Sequence, residues 1–122
     1  MPKILIIEDY LSIQKIFETA LESEGYDVTV AADGQEALQV VGDLKPDLIL
    51  LDLLMANIGG LEFLRLFKAK DHPETKVVVF SNLSSPELYK EAETLGAAAY
   101  LAKSKFTPKE LVVEIKKVLA KK

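Results

Sequence analysis

Three runs of the chain, Ile4–Ile7, Leu48–Leu51 and Val77–Phe80, are apolar without interruption, and each is followed at once by a polar residue: Glu8, Asp52 or Ser81. Runs this short cannot span a membrane, and runs this unbroken do not suit a hairpin strand with one wet face. They read as strands buried on both faces, the pattern of a parallel sheet. Between them the apolar period becomes helical. From Leu11 onward Ile13, Ile16, Phe17, Ala20 and Leu21 share one face, and Gly25 is placed to end the helix. Val28 and Val30 mark another strand. Asp33 with Glu36 resembles an acidic capping box, opening a helix that faces inward through Ala37, Leu38, Val41 and Leu44.

The second half repeats the alternation. After the Asn57 to Gly60 turn, Leu61, Leu64 and Phe67 predict a helix that fades at Asp71-His72-Pro73, with His72 exposed in a polar loop. Ser84-Ser85-Pro86-Glu87 starts a helix with Leu88, Ala92 and Leu95 inward, and Ala98–Ala102 reads as a weaker strand ending on Lys103. Thr107-Pro108-Lys109-Glu110 is a capping box for a last helix packed through Leu111, Val112, Ile115, Val118 and Leu119, with Val113 outward. Five strands and five helices joined by connections too long for hairpins predict a doubly wound, flavodoxin-like α/β domain over residues 1–122. Its expected parallel strand order is 2-1-3-4-5, with a crevice between strands one and three.

At 122 residues and 49% apolar content, one such domain can bury a core unaided. The chain has no cysteine, which excludes disulfides and thiolate metal sites, and its single histidine cannot build a histidine-based one. A net charge of −4 leaves no basic footprint, so no direct nucleic-acid partner is expected. Lys116, Lys117, Lys121 and Lys122 read as a helix C-terminus complementing its dipole. Met1-Pro2-Lys3 leads straight into an apolar run too short for a signal peptide, and a cytoplasmic protein without a membrane partner is the expectation.

In the expected topology the carboxyl ends of strands one, three, four and five share a rim that carries Glu8, Asp9, Asp52, Ser81 and Lys103. Three carboxylates together oppose folding unless a cation joins them. With oxygen ligands only, a hard ion such as Mg²⁺ suits the set. Beside such an ion Asp52 could act as a nucleophile toward a phosphoryl group, with Ser81 and Lys103 on its other oxygens. The plainer reading is that Lys103 forms a salt bridge with Asp52. Both can hold, the bridge being the resting state.

These residues resemble the receiver domain of bacterial two-component response regulators, over essentially the whole chain. The resemblance is carried by Glu8-Asp9, by Asp52-Leu53-Leu54-Met55, by Ser81, and by the run from Gly96 to Lys103, Gly-Ala-Ala-Ala-Tyr-Leu-Ala-Lys. It implies that Asp52 accepts a phosphoryl group from a sensor histidine kinase or phosphotransfer protein, without turnover of a separate substrate. Mg²⁺ would be bound by Asp9, Asp52 and the Leu54 carbonyl, with Glu8 acting through metal-bound water. Ser81 would then move toward the phosphoryl group and Tyr100 turn inward. The face of the fourth helix, fifth strand and fifth helix would be remodelled for a target protein, an output domain or a homodimer.

The chain departs from the family pattern in several places. Met55-Ala56-Asn57-Ile58-Gly59-Gly60 stands where a Met-Pro-Gly-x-Asp-Gly turn is usual, which frees the loop that supplies the metal-binding carbonyl. Ser104 replaces a proline, so a trans bond after Lys103 and a shifted loop are expected. Asn82 replaces a small residue and either narrows access to Asp52 or bonds the phosphoryl group. Leu54 and Leu83 flank the acceptor and should fail to orient water, which implies a long-lived phosphoryl state. The alternative is a pseudo-receiver, a protein-interaction domain whose altered loops have silenced phosphorylation. A cofactor-binding flavodoxin relative is disfavoured by the acids after strand one, and an aspartyl-phosphate hydrolase by Leu54 where a second acid would stand.

Overall fold

The apolar runs fold as strands. In the computed structural model, which describes residues 1–55, 57–83 and 85–121, β1 (Lys3–Ile7), β2 (Asp27–Ala31), β3 (Leu48–Leu51), β4 (Lys76–Phe80) and β5 (Ala99–Leu101) pair in parallel in the order β2-β1-β3-β4-β5. Ala56 of the altered turn, Ser84 of the fourth helix start and Lys122 of the terminal lysine cluster lie outside the described residues. Four helices provide the crossovers, α1 (Leu11–Ser23), α2 (Gly34–Leu44), α3 (Gly60–Phe67) and α4 (Pro86–Thr94), and α5 (Pro108–Ala120) follows the last strand. The expected doubly wound architecture is what forms.

Alternation along the strands creates two cores, because successive side chains point to opposite faces. Ile4, Ile6, Leu48, Leu50, Val78 and Phe80 pack with Leu21 of α1 and with Leu111 and Ile115 of α5. Leu5, Ile7, Ile49, Leu51, Val77 and Val79 pack on the other side with α2, with Phe63 and Leu64 of α3, and with Ala92 of α4. Each fully buried leucine or isoleucine contributes about 1.5–3 kcal/mol relative to exposure. Most of the fold's driving force therefore passes through the three central strands.

Helix ends follow their local chemistry. Thr107 and Glu110 form the reciprocal capping box, and Ser85 caps α4 by accepting from the Leu88 amide at 3.1 Å. The Asp33 box is only half made. Asp33 accepts from the Glu36 amide at 2.8 Å, but the Glu36 carboxylate reaches back to the amide of Ala32 at 3.3 Å. Gly25, at φ +90°, turns the chain out of α1 in the left-handed region where a side chain is strained.

Some expectations shift. Ile16 is about half exposed and Gln14 takes its place inward, because the Gln14 amide has a backbone carbonyl, that of Glu8, to bond. On α3 Phe63 is fully buried where Leu61 was expected to lead. His72 is only half exposed, its ring stacked on Phe67 with centroids 4.4 Å apart. β5 covers three residues, shorter than Ala98–Ala102. Lys116 pairs at 2.6 Å with Glu24, the residue that caps the end of α1, tying α5 to its neighbour in addition to sitting near its own C-terminus.

The register brings the chemistry to one rim. Ile7 pairs with Leu51 and Leu51 with Val79, so β1 and β3 end level and release Glu8 and Asp52 side by side. α3 starts hard against this edge. A Cβ at Gly60 would lie 2.3 Å from the Asp52 carbonyl oxygen and 2.6 Å from Leu53 Cα, both backbone atoms with little room to yield. We expect Gly60→Ala to lower unfolding free energy by about 1–3 kcal/mol, the usual range for overpacking, as measured by urea denaturation; unchanged stability would show that the α3 start can retreat.

Candidate functional site

Asp52, at the end of β3, is 6% exposed, and Glu8, at the end of β1, is 3% exposed. Two carboxylates this deep need a cation. Lys103, at the start of a 3-10 turn (Lys103–Lys105) after β5, supplies one. Its ammonium donates to Asp52 Oδ2 at 3.1 Å and to Glu8 Oε1. The peptide bonds of the described residues are trans, as expected after Lys103, and the anticipated loop shift does not take Lys103 away from Asp52.

The remaining oxygens differ in how firmly they are held. Glu8 Oε2 accepts from the Tyr10 amide at 3.1 Å, whereas among the described residues Asp52 Oδ1 accepts one long bond, 3.3 Å, from the Leu54 amide. Oδ1 is thus the least committed carboxylate oxygen of the buried pair. Asp9 is exposed, yet one carboxylate oxygen from each of Glu8, Asp9 and Asp52 lies within 4.8 Å of the others. This oxygen-only set fits a hard divalent ion such as Mg²⁺, with the exposed Asp9 side open to retained waters. Leu54 contributes its amide to Asp52, and its side chain is 66% exposed.

Electrostatics express the crowding. Burial, aided by the neighbouring Asp52 charge, raises the Glu8 pKa against the opposing bonds from Lys103 and Tyr10. Burial pulls the Lys103 ammonium down, but its bond to Glu8 and the charge of Asp52 outweigh that, and the net shift is upward. One ammonium serves two carboxylates and does not fully compensate them.

Ser81 is 1% exposed at the end of β4, and its Oγ accepts from the Leu83 amide at 3.2 Å. The Leu83 carbonyl in turn accepts from the Tyr100 hydroxyl, and the Tyr100 ring stacks on Tyr89 at 5.4 Å. Tyr100 therefore lies on the α4 side with its hydroxyl bonded to backbone at the partly exposed rim. A cavity of about 220 Å³ opens over Asp52, lined by Tyr10, Ile13, Leu54, Ser81, Asn82, Leu83 and Lys103. Leu54 and Leu83 stand on its wall, and Asp52 is the carboxylate in its lining.

Three supporting contacts had no clear sequence signal. Gln14 braces the Glu8 carbonyl, and a lone amide between Ile13 and Phe17 was the only hint of it. Asn57, at φ 61°, donates to Asp33 at 2.7 Å and anchors the turn that lacks a proline. Asn82 Oδ1 accepts from the Ser104 amide at 2.9 Å, so its carbonyl oxygen is committed to the neighbouring loop.

Comparison with known proteins places this geometry. The family model described as the response regulator receiver domain matches residues 4–116. The probable transcriptional regulator ycf27 of Porphyridium aerugineum is 42% identical over 118 residues, covering 96% of this chain and 48% of the relative. The DNA-binding response regulator MtrA of Mycobacterium tuberculosis is 33% identical over 114 residues, covering 93% of the chain and 49% of MtrA. Among solved structures, Vibrio cholerae chemotaxis protein CheY4 superposes with a TM-score of 0.89 at 31% identity, covering 97% of this chain and 98% of CheY4. A CheY-like receiver domain protein from Methanospirillum hungatei gives 0.91 at 30% identity, covering 98% and 94%. The chain spans about half the length of the curated relatives it matches. The expectation of no direct nucleic-acid partner is corrected by these relatives, one of which is named as a DNA-binding response regulator. The charge argument failed because a net charge describes only the residues it counts.

The raised Glu8 pKa sets a pH dependence. The folded chain holds this proton to higher pH than the unfolded chain, whose ordinary value is 4.5. Within that window unfolding releases a proton, so this group's contribution to stability falls as pH rises and levels off once folded Glu8 has ionised. In chelated buffer, urea denaturation should show wild type losing stability relative to Glu8→Gln from pH 4.5 toward neutrality; parallel curves would refute the assignment.

Proposed function

The chain belongs to the response-regulator receiver family, and from that premise we propose that Asp52 is its phosphoryl acceptor in a phosphorelay. The observation that carries this reading is the buried Asp52 carboxylate, with one oxygen on Lys103 and the other weakly held at the mouth of an open cavity. Asp52 Oδ1 attacks the phosphorus of a histidine kinase's phosphohistidine. The new bond is P–O, the P–N bond breaks, and its electron pair remains on the imidazole, which takes up a proton. The product is an acyl phosphate on Asp52.

Glu8, Asp9 and Asp52, with the Leu54 carbonyl, are the residues that would hold Mg²⁺, which when bound neutralises charge on the transferring group. Lys103 stabilises a phosphoryl oxygen through its ammonium, and the Ser81 hydroxyl can exchange its Leu83 bond for another oxygen. Tyr100 and the α4–β5–α5 face read out that exchange. The domain works by changing what it binds, not by turning over a separate substrate. The names of the relatives support a DNA-binding output in the longer protein of which a receiver is one part. Among the described residues no helix is long and apolar enough to cross a membrane.

Incubation with Mg²⁺ and acetyl phosphate should add one phosphoryl increment to the intact mass. Asp52→Ala and chelation should each abolish it. No increment from the small donor or from a cognate kinase, in folded protein, would favour the phosphorylation-silent interaction domain.

Leu54 and Leu83 offer no hydrogen bond from their side chains to position water at the acyl phosphate. We expect slow loss of phosphate from the purified protein and, in Leu54→Asn, a lifetime about tenfold shorter as polar contacts begin to orient water. Rapid loss from wild type without a phosphatase would overturn this.

A further inference from the structure

The pairing of β4 with β5 does not stop at the strand ends. Ser81 donates its amide to the Leu101 carbonyl at 3.0 Å, and Lys103 donates its amide to the Ser81 carbonyl at 3.3 Å. One residue further on, the Ser104 amide donates to Asn82 at 2.9 Å, and the acceptor there is the side-chain oxygen. The Asn82 side chain thus continues the ladder past the point where the backbones part. Lys103 lies between the last two rungs, its backbone anchored at its own amide and at the next one.

From this arrangement we infer that Asn82 is a positioning residue for Lys103, holding the ammonium over Asp52 through the Ser104 amide. The 3-10 turn that begins at Lys103 is exposed at Ser104 and Lys105, so packing there does little to fix it. The ammonium itself must reach two carboxylates on different strands. A backbone held at one rung can swivel; a backbone held at two consecutive rungs cannot. Among the described residues Asn82 makes no hydrogen bond to the carboxylates or to the Lys103 ammonium, whose bonds go to Glu8 and Asp52, which separates it from the groups that would meet the phosphoryl oxygens. The clip also joins the segment carrying Ser81 to the segment carrying Lys103, so the two groups flanking Asp52 keep a fixed spacing.

The functional consequence rests on Asp52 being the phosphoryl acceptor, and the test separates the two ideas. The first arm measures the rate of phosphorylation by acetyl phosphate with Mg²⁺ in wild type, Asn82→Ala, Lys103→Ala and the double variant. Asn82→Ala should be slowed about tenfold, as expected for a displaced catalytic group, with no further loss when Lys103 is already absent. A general structural role for Asn82 would give the same loss in both backgrounds, and that result, or no loss in either, overturns the inference. The second arm needs no phosphorylation. Lysine acylation mapped by mass spectrometry should show Lys103 protected in wild type and labelled roughly threefold faster or more in Asn82→Ala as the turn opens locally, with Lys3 as internal reference. Unchanged Lys103 labelling overturns the positioning role. If wild type takes no phosphoryl group at all, the functional reading falls while the labelling arm still decides for or against the clip.

Discussion

The interaction on which the rest depends is one ammonium shared by two buried carboxylates. Lys103 reaches Glu8 across 95 positions of sequence and Asp52 across 51, so a single side chain draws together the ends of β1 and β3 and the turn after β5. Removing one partner from a buried pair of this kind typically costs about 3–5 kcal/mol, because the other charge is left stranded. The sharing is uneven. Glu8 binds its proton more tightly than an ordinary glutamate, chiefly because burial disfavours its charged form; two carboxylates against one ammonium also leave a local excess of negative charge. That excess is the physical reason a hard cation suits the site, and Asp9, left at the surface, is the third carboxylate within reach of the same point.

The sheet makes this concentration of charge tolerable by supplying stiffness. Strands packed on both faces by the two cores have little freedom to splay, and parallel pairing with level ends fixes the distance between Glu8 and Asp52 before any side chain chooses a rotamer. The cavity side is different. Tyr10, Leu54, Asn82 and Leu83 belong to loops and are exposed, so their identities can vary without disturbing either core. Scaffold and selectivity are thereby assigned to different parts of the chain.

The same division explains what could be read beforehand. Strand order, helix count and the convergence of Glu8, Asp9, Asp52, Ser81 and Lys103 follow from apolar periodicity and from the rules of parallel connection, both written plainly in the chain. Gln14 was hidden because an inward glutamine looks like a break in an apolar stripe until its carbonyl partner is known. Asn57 and Asn82 were visible only as departures from a pattern; that each had found a partner on another loop depends on backbone geometry that periodicity does not encode. His72 was placed in the right loop but given too much water, since its stacking on Phe67 depends on how the chain leaves α3.

Leu83 illustrates what such loops can transmit. Its amide is bound by Ser81 and its carbonyl by Tyr100, so one peptide segment is a short tie rod between a buried hydroxyl and a surface aromatic. Each joint is a single hydrogen bond, with a net worth of about 0.5–1.5 kcal/mol. Ties this weak exchange within thermal reach. Were Ser81 drawn to a phosphoryl group as proposed, the rod would set the threshold for communication between the sheet rim and the α4 surface as much as provide the route, and it would do so through the backbone of Leu83, whatever its side chain.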